Sequence, residues 1–198
     1  GYTFKNENRE LGGYAILKNK KISLIMDVGN SPNLNFSKDY QSGAMSFEII
    51  SNGKKLITNC GYYDKKNIKL KKLSKSTATH SALSIDDHSI CHFKKINEHN
   101  LILNNELKIL KKNIVFEKNY WKIGSSHDGY IKKYNAIHER DIEYYPEQSK
   151  FIGTDKILFK KSNSNLKFDI RFHLEPNVKL MKTQDNKTIL IELEDEGW

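Results

Sequence analysis

Arginine is scarce in this chain. Of 33 basic residues only Arg9, Arg140 and Arg171 are arginines, which leaves 30 lysines. Bidentate readout of phosphates and base edges relies on the guanidinium fork. The net charge of +9 therefore does not define a nucleic-acid binder, and no nucleic-acid partner is expected. A basic surface instead suits an anionic polymer such as an acidic polysaccharide. Cysteine is limited to Cys60 and Cys91, too few for a disulfide framework, although a single bridge stays open. Cys60 follows an apolar stretch and reads as a buried thiol. No Cys-x-x-Cys spacing occurs, which excludes the zinc-finger patterns. No apolar run approaches the roughly 20 residues of a membrane span. No segment keeps a 3.6-residue period over three turns, so long amphipathic helices are not expected. The chain opens Gly1-Tyr2-Thr3-Phe4, without an initiator Met or a basic-plus-apolar leader. Residues 1–198 are expected to form one domain, incomplete at both ends, and this start says nothing of localisation.

What is present is a succession of short strands punctuated by turn residues. Tyr14 to Leu17 and Ile22 to Val28 flank Lys18-Asn19-Lys20-Lys21, a hairpin. Met45 to Ser51 and Lys55 to Asn59 flank Asn52-Gly53, the strongest short hairpin signal because both turn positions tolerate positive φ. Thr79 to Ile85 reads as a buried strand. Leu101 to Leu103, Leu107 to Leu110 and Ile114 to Glu117 read as a meander. Ala136 to Tyr144 and Lys156 to Lys160 flank Pro146-Glu147-Gln148. Leu166 to Leu174 alternates, with Phe168, Ile170 and Phe172 on one face and Asp169, Arg171 and His173 on the other. Val178 to Met181 and Thr188 to Leu193 form a last hairpin around Asp185-Asn186. The pattern predicts an all-β fold, an antiparallel multi-stranded β-sandwich.

Histidines stand inside or beside several of these strands. A β-sheet brings residues distant in sequence together, so His80, His127 and His173 raise a metal or proton-transfer site. The strings that hold them form an ordered set: Gly43-Ala44-Met45-Ser46-Phe47-Glu48, Asn59-Cys60-Gly61, Ala78-Thr79-His80-Ser81-Ala82-Leu83, Ser126-His127-Asp128-Gly129-Tyr130, Ile137-His138-Glu139-Arg140 and Arg171-Phe172-His173-Leu174-Glu175-Pro176. In this order they resemble the heparinase II/III family, and within it the C-terminal β-sandwich region of its bacterial members. Each string is weak alone. The set spans nearly the whole chain and is specific.

The resemblance implies a two-part polysaccharide lyase, an N-terminal α/α toroid and a C-terminal β-sandwich with the substrate cleft between them. It implies a uronic-acid polymer as substrate, heparin-, heparan- or alginate-like, and a periplasmic or cell-envelope location. The toroid is then a missing partner within the same protein. Uronate β-elimination needs the carboxylate charge neutralised, a base for the C5 proton, and an acid for the departing glycosidic oxygen. In the family most of these groups come from the toroid. The sandwich adds a histidine near the cleft and, in several members, a zinc held by two His and an Asp. Carried over by position, His80 is the first candidate, as metal ligand or catalytic cleft residue, although Ala82 lacks the polar group usual two residues after it. His127 is the second metal ligand and Asp87 the acidic one, with Asp86 beside it and Glu98 further along as alternatives that no motif separates. Tyr130 is a candidate proton-transfer residue, and His138, Arg140 and Arg171 are candidate substrate contacts.

Structural readings of the same residues stay open. His80 also fits a strand-end histidine. His127 with Asp128 fits a local turn, and Tyr130 a core or rim aromatic. His138 and Arg140 fit a solvated strand face or an ion-pair ladder. Arg171 fits an Arg–carboxylate pair. His88, His92 and His99 read as loop histidines. A non-catalytic carbohydrate-binding sandwich, using Tyr62, Tyr63, Tyr144 and Tyr145 as exposed aromatics, is the alternative function.

Overall fold

The computed structural model describes residues 9–63, 65, 67–98, 100–159, 166–176 and 178–198. His99 and Lys160, expected in a loop and at a strand end, lie outside the described residues. In chain order the strands begin with β1 (Glu10–Leu11), β2 (Tyr14–Lys18), β3 (Ile22–Asp27), β4 (Phe47–Ser51) and β5 (Lys54–Ile57). A short helix α1 (Ile68–Ser74) precedes β6 (Leu83–Ile85), β7 (Phe93–Lys95), β8 (Leu101–Leu103), β9 (Ile109–Phe116) and β10 (Trp121–His127). One helical turn, α2 (Ile131–Tyr134), leads into β11 (Ala136–Tyr145), β12 (Lys150–Phe159), β13 (Phe168–Ile170), β14 (Lys179–Lys182), β15 (Ile189–Leu193) and β16 (Glu196–Gly197).

Two antiparallel sheets dominate, a five-stranded meander β1-β2-β3-β4-β5 and a four-stranded sheet β12-β11-β10-β9. Their alternation dictates the packing. Ala15, Leu17, Ile22, Leu24, Met26, Phe47 and Ile49 from the first sheet meet Trp121, Ile123, Ile142 and Tyr144 from the second in one buried cluster. Each aliphatic chain buried there contributes about 1.5–3 kcal/mol. A second cluster, with Leu83, Ile85, Ile90, Leu103, Leu107, Tyr130 and Tyr134, sits beneath the connecting segments. Among the described residues no helix is long and apolar enough to cross a membrane.

The Asn52-Gly53 hairpin forms as expected, with φ of +47° and +81° at the two turn residues. Other expectations change. Thr79 to Ile85 is not one strand: Thr77–Thr79 forms a 3-10 turn and only Leu83–Ile85 is extended. The Thr79 hydroxyl donates to the Ser76 carbonyl (2.9 Å), a local bond that competes with strand pairing. The two pieces expected around Lys111 to Asn113 are one strand, β9. It is a sheet edge, so its lysines reach solvent without breaking the ladder. In 166–174 only Phe168–Ile170 pairs, with short β6, and Phe168 and Phe172 stay exposed, since the two main sheets already fill the core between them.

Candidate active-site cleft

Three of the motif strings converge on one cleft of about 370 Å3. Gly43, Ser46 and Glu48 come from the first string, Asn59 and Gly61 from the second, and His80 from the third; Tyr14, Ile25, Asp27, Asp39, Tyr40 and Gln41 complete the lining. The floor is the outward face of the first sheet. Ile25 pairs directly with Glu48 and Tyr14 with Asp27, so Asp27 and Glu48 are diagonal neighbours on one face. The buried turn 43–46 is tied to Asp27 by main-chain bonds from Met45 N to Asp27 O (2.9 Å) and from Asp27 N to Ser46 O (3.0 Å).

Loops close the cleft through side chain-to-backbone bonds. Gln41 Nε2 donates to the carbonyls of Gly61 (2.7 Å) and Ser74 (3.0 Å). Asn59 donates to Glu48 (3.3 Å) and accepts from the Ser81 amide (2.8 Å). The buried Lys75 ammonium donates to the Lys38 and Tyr40 carbonyls, which holds the wall that carries Asp39 and Tyr40.

His80 is 3% exposed and its Nε2 has no hydrogen-bond partner. Burial lowers its pKa to about 4, so the ring is neutral at pH 7. A Cβ at Gly43 would come within 3.3 Å of the ring. Burial pushes the Asp27 carboxyl up to about 6, against a bond from the Gly29 amide (3.0 Å) and the nearby Lys112. The Tyr40 hydroxyl is also unpartnered, and burial raises its pKa. Within the cleft the His80 Nε2 and the Tyr40 hydroxyl are unpartnered, while Asp27, Glu48 and Asp39 accept from the Gly29 amide, Asn59 and the Tyr62 hydroxyl.

The other candidate residues lie elsewhere. His127 is fully buried. The Gly129 amide donates to its Nδ1 (3.1 Å), so the proton of the neutral ring sits on Nε2 and points to His138 Nδ1 (3.3 Å). His138 Nε2 then donates to Asp155 Oδ1 (2.6 Å). Burial lowers both histidine pKa values, with Asp155 opposing this at His138. Burial also favours a protonated Asp155, but the hydrogen bonds from His138 and Arg140 outweigh it and hold the carboxyl below its ordinary value.

Arg140, expected as a substrate contact, is 1% exposed. Its guanidinium grips Asp155 with Nε (2.7 Å) and Nη2 (3.0 Å), while Nη1 donates to the carbonyls of Met45 (3.0 Å) and Ser81 (2.8 Å). It sits beneath the cleft and ties the turn bearing Ser46 to the segment bearing His80. His138 is buried in the same network, so neither meets substrate here. The inward face of β11 takes them because its alternation is strict.

Tyr130 is likewise buried. Its hydroxyl donates to the Leu83 (2.9 Å) and His88 (3.3 Å) carbonyls, and burial raises its pKa, which makes it a core residue rather than a cleft acid. Arg171 donates to the Ser84 hydroxyl and lies near Asp87 (3.3 Å) and Asp169 (3.4 Å), the Arg–carboxylate arrangement. Asp87 is an exposed turn residue with φ of +58°. Among the described residues no group of three or more His, Cys, Asp or Glu side chains is placed to hold a metal ion. His80, His127 and Asp87 therefore do not form the ligand set the resemblance implies, and the two ring nitrogens of His127 are already engaged. Zinc does not fit these residues as placed. Tyr144, expected as an exposed aromatic, is buried between Trp121 and Phe151. The missed residues are Asp27, Asp39 and Tyr40; none lies in a motif string, and strand pairing places Asp27 while a loop held by Lys75 places Asp39 and Tyr40.

An antiparallel β-sandwich that presents a polar acid–base cleft on one sheet is the class of protein these features define. The family model described as heparinase II/III-like, C-terminal, matches residues 7–198, and the chain belongs to that family. Heparan sulfate lyase HepC from Pedobacter heparinus superposes with a TM-score of 0.68 at 14% identity, over 92% of this chain and 26% of that one. A heparinase III structure superposes with a TM-score of 0.64 at 19% identity over the same shares. The chain thus spans about a quarter of the length of these solved structures. No match is found among curated proteins.

Proposed function

We propose that this chain is the β-sandwich portion of a polysaccharide lyase that cleaves a uronic-acid-containing polysaccharide by β-elimination, in the periplasm or cell envelope. One observation carries the reading: a neutral His80 with a free Nε2 stands in a cleft built by three of the family-like strings. A neutral imidazole keeps the lone pair that a base needs at pH 7. The lining holds Asp27, Asp39 and Glu48 and neither lysine nor arginine, so a positive group that neutralises a uronate carboxylate is not among these lining side chains. That agrees with a shared cleft completed by an α/α toroid, and with little activity for the sandwich alone.

The test uses a protein that carries this chain within the full length of its structural neighbours. Incubated with heparan-, heparin- and alginate-like polymers, it should release unsaturated uronate, followed by ultraviolet absorbance, and His80→Ala should lower kcat. Release of no unsaturated product from any of these acidic polymers would overturn the reading.

A further inference from the structure

In a chain of net charge +9, the cleft is locally acidic. Asp27, Asp39 and Glu48 line it without a basic side chain, a poor receptor for sulfate or carboxylate. We propose that this cleft binds a protonated primary amine, the 2-ammonium of an N-unsubstituted amino sugar adjacent to the uronate. The inference rests on the saccharide-cleft reading above and names which sugar the sandwich half holds.

Three observations support it. Asp27 and Glu48 are diagonal neighbours on adjacent strands, with Cβ atoms roughly 7 Å apart. That separation lets one ammonium donate to both carboxylates at about 2.8 Å each. Among the described residues no group of three or more His, Cys, Asp or Glu is placed to hold a metal ion instead. His80 supplies the second, independent sign of a ligand, because it lines the cleft, is 3% exposed and keeps a buried Nε2 without a hydrogen-bond partner. Finally, the 370 Å3 volume lies within the range of small-molecule sites, about 300–1,000 Å3. An ammonium offers three donors and a positive charge to carboxylates that have no basic side chain beside them in the lining, whereas an N-acetyl group offers one donor and no charge, and an N-sulfo group adds a repelled charge.

The proposal predicts a pH window. Asp27 faces Tyr14, Tyr40 and Glu48 across the cleft, and Lys112 from β9, whose ammonium is held by Glu10 at 2.8 Å. Its carboxyl, raised to about 6 by burial, must ionise to accept the ammonium. Binding should strengthen from pH 5 to 7 and fade again once the amine itself deprotonates.

The experiment is a titration of the isotope-labelled chain with methyl glucosaminide and its N-acetyl and N-sulfo counterparts, read by NMR shifts of the His80 ring and the Asp27 and Glu48 amides. The amine is expected to bind about tenfold tighter than either counterpart, and Asp27→Asn and Glu48→Gln each to weaken it by about tenfold. Glu48→Gln lies on the outer face and guards against a folding defect in the Asp27 variant. Equal or tighter binding of the N-acetyl or N-sulfo sugar would overturn the amine assignment and leave the saccharide cleft standing. No shift with any of the three sugars would overturn both, while release of unsaturated uronate by the longer protein would still report on lyase activity. Displacement of the amine by micromolar calcium or zinc would make the cleft a metal site and also overturn the proposal.

Discussion

Arg140 is the residue on which the cleft and the core both depend. Its guanidinium satisfies Asp155 and two carbonyls beneath the cleft, all out of solvent. Removing one member of a buried pair strands the other charge, at a cost of about 3–5 kcal/mol. Asp155→Ala should therefore lower the free energy of unfolding by that amount in a urea titration. A loss under 1 kcal/mol would mean that water reaches Arg140. The histidines beside it make a separate prediction. With both nitrogens of His127 hydrogen-bonded and no three-ligand group among the described residues, a chelator should leave the Tm unchanged, whereas His127→Ala should lower it. Calorimetry with and without chelator separates the two, and a chelator-sensitive Tm would restore the metal. At Gly129 the constraint is space. A Cβ there would meet Ile90 Cγ2 at 2.1 Å, so Gly129→Ala should cost about 1–3 kcal/mol by overpacking, again read by urea unfolding.

At the scale of elements, the hairpin β4–β5 turns on Asn52 and Gly53, both at positive φ. That conformation costs a residue with a Cβ about 1–2 kcal/mol, so Gly53→Ala should destabilise by that order in equilibrium unfolding, while Asn52→Gly should be nearly neutral. This hairpin was legible because Asn-Gly carries its own geometry. The hairpins around Lys18 to Lys21 and around Asp185-Asn186 were legible for the same reason, polar turn residues between apolar alternations. Segment 77–85 was not. Thr79 bonds the backbone next to it while Thr77 and Ser81 reach the distant Ser42 and Thr58 carbonyls, and the composition of a 3-10 turn differs little from that of a strand. Phe168, Ile170 and Phe172 misled differently: their alternation is real, but it faces solvent in this chain, and alternation alone carries no sign of which face is covered.

Over the whole molecule, buried titratable groups set the response to acid. His80, His127 and His138 all have pKa values below the ordinary histidine value in the fold. Their contribution to stability is full above the unfolded value of about 6.5 and is lost as pH falls toward the folded values. Asp27 works the other way. Raised to about 6, it contributes most below the ordinary carboxylate range and loses that as pH rises through 6. With three groups against one, stability should fall from pH 7 to pH 4, because the unfolded chain takes up more protons. The urea midpoint measured across that range checks this, and a midpoint that rises on acidification would contradict the buried, neutral state of the histidines.

The sequence by itself determined the all-β class, the main hairpins and the family, because these rest on local turn chemistry, two-residue alternation and ordered strings, all written in consecutive residues. It also singled out His80. Only the tertiary structure decided that His138 and Arg140 lie under the cleft and not in it, that Tyr130 belongs to the core, and that Asp27 and Tyr40 join His80. Those placements depend on which face of each strand meets the opposing sheet, on which strands pair and, for Tyr40, on the loop that Lys75 holds. That is a property of non-local packing, which residue order along one strand does not encode.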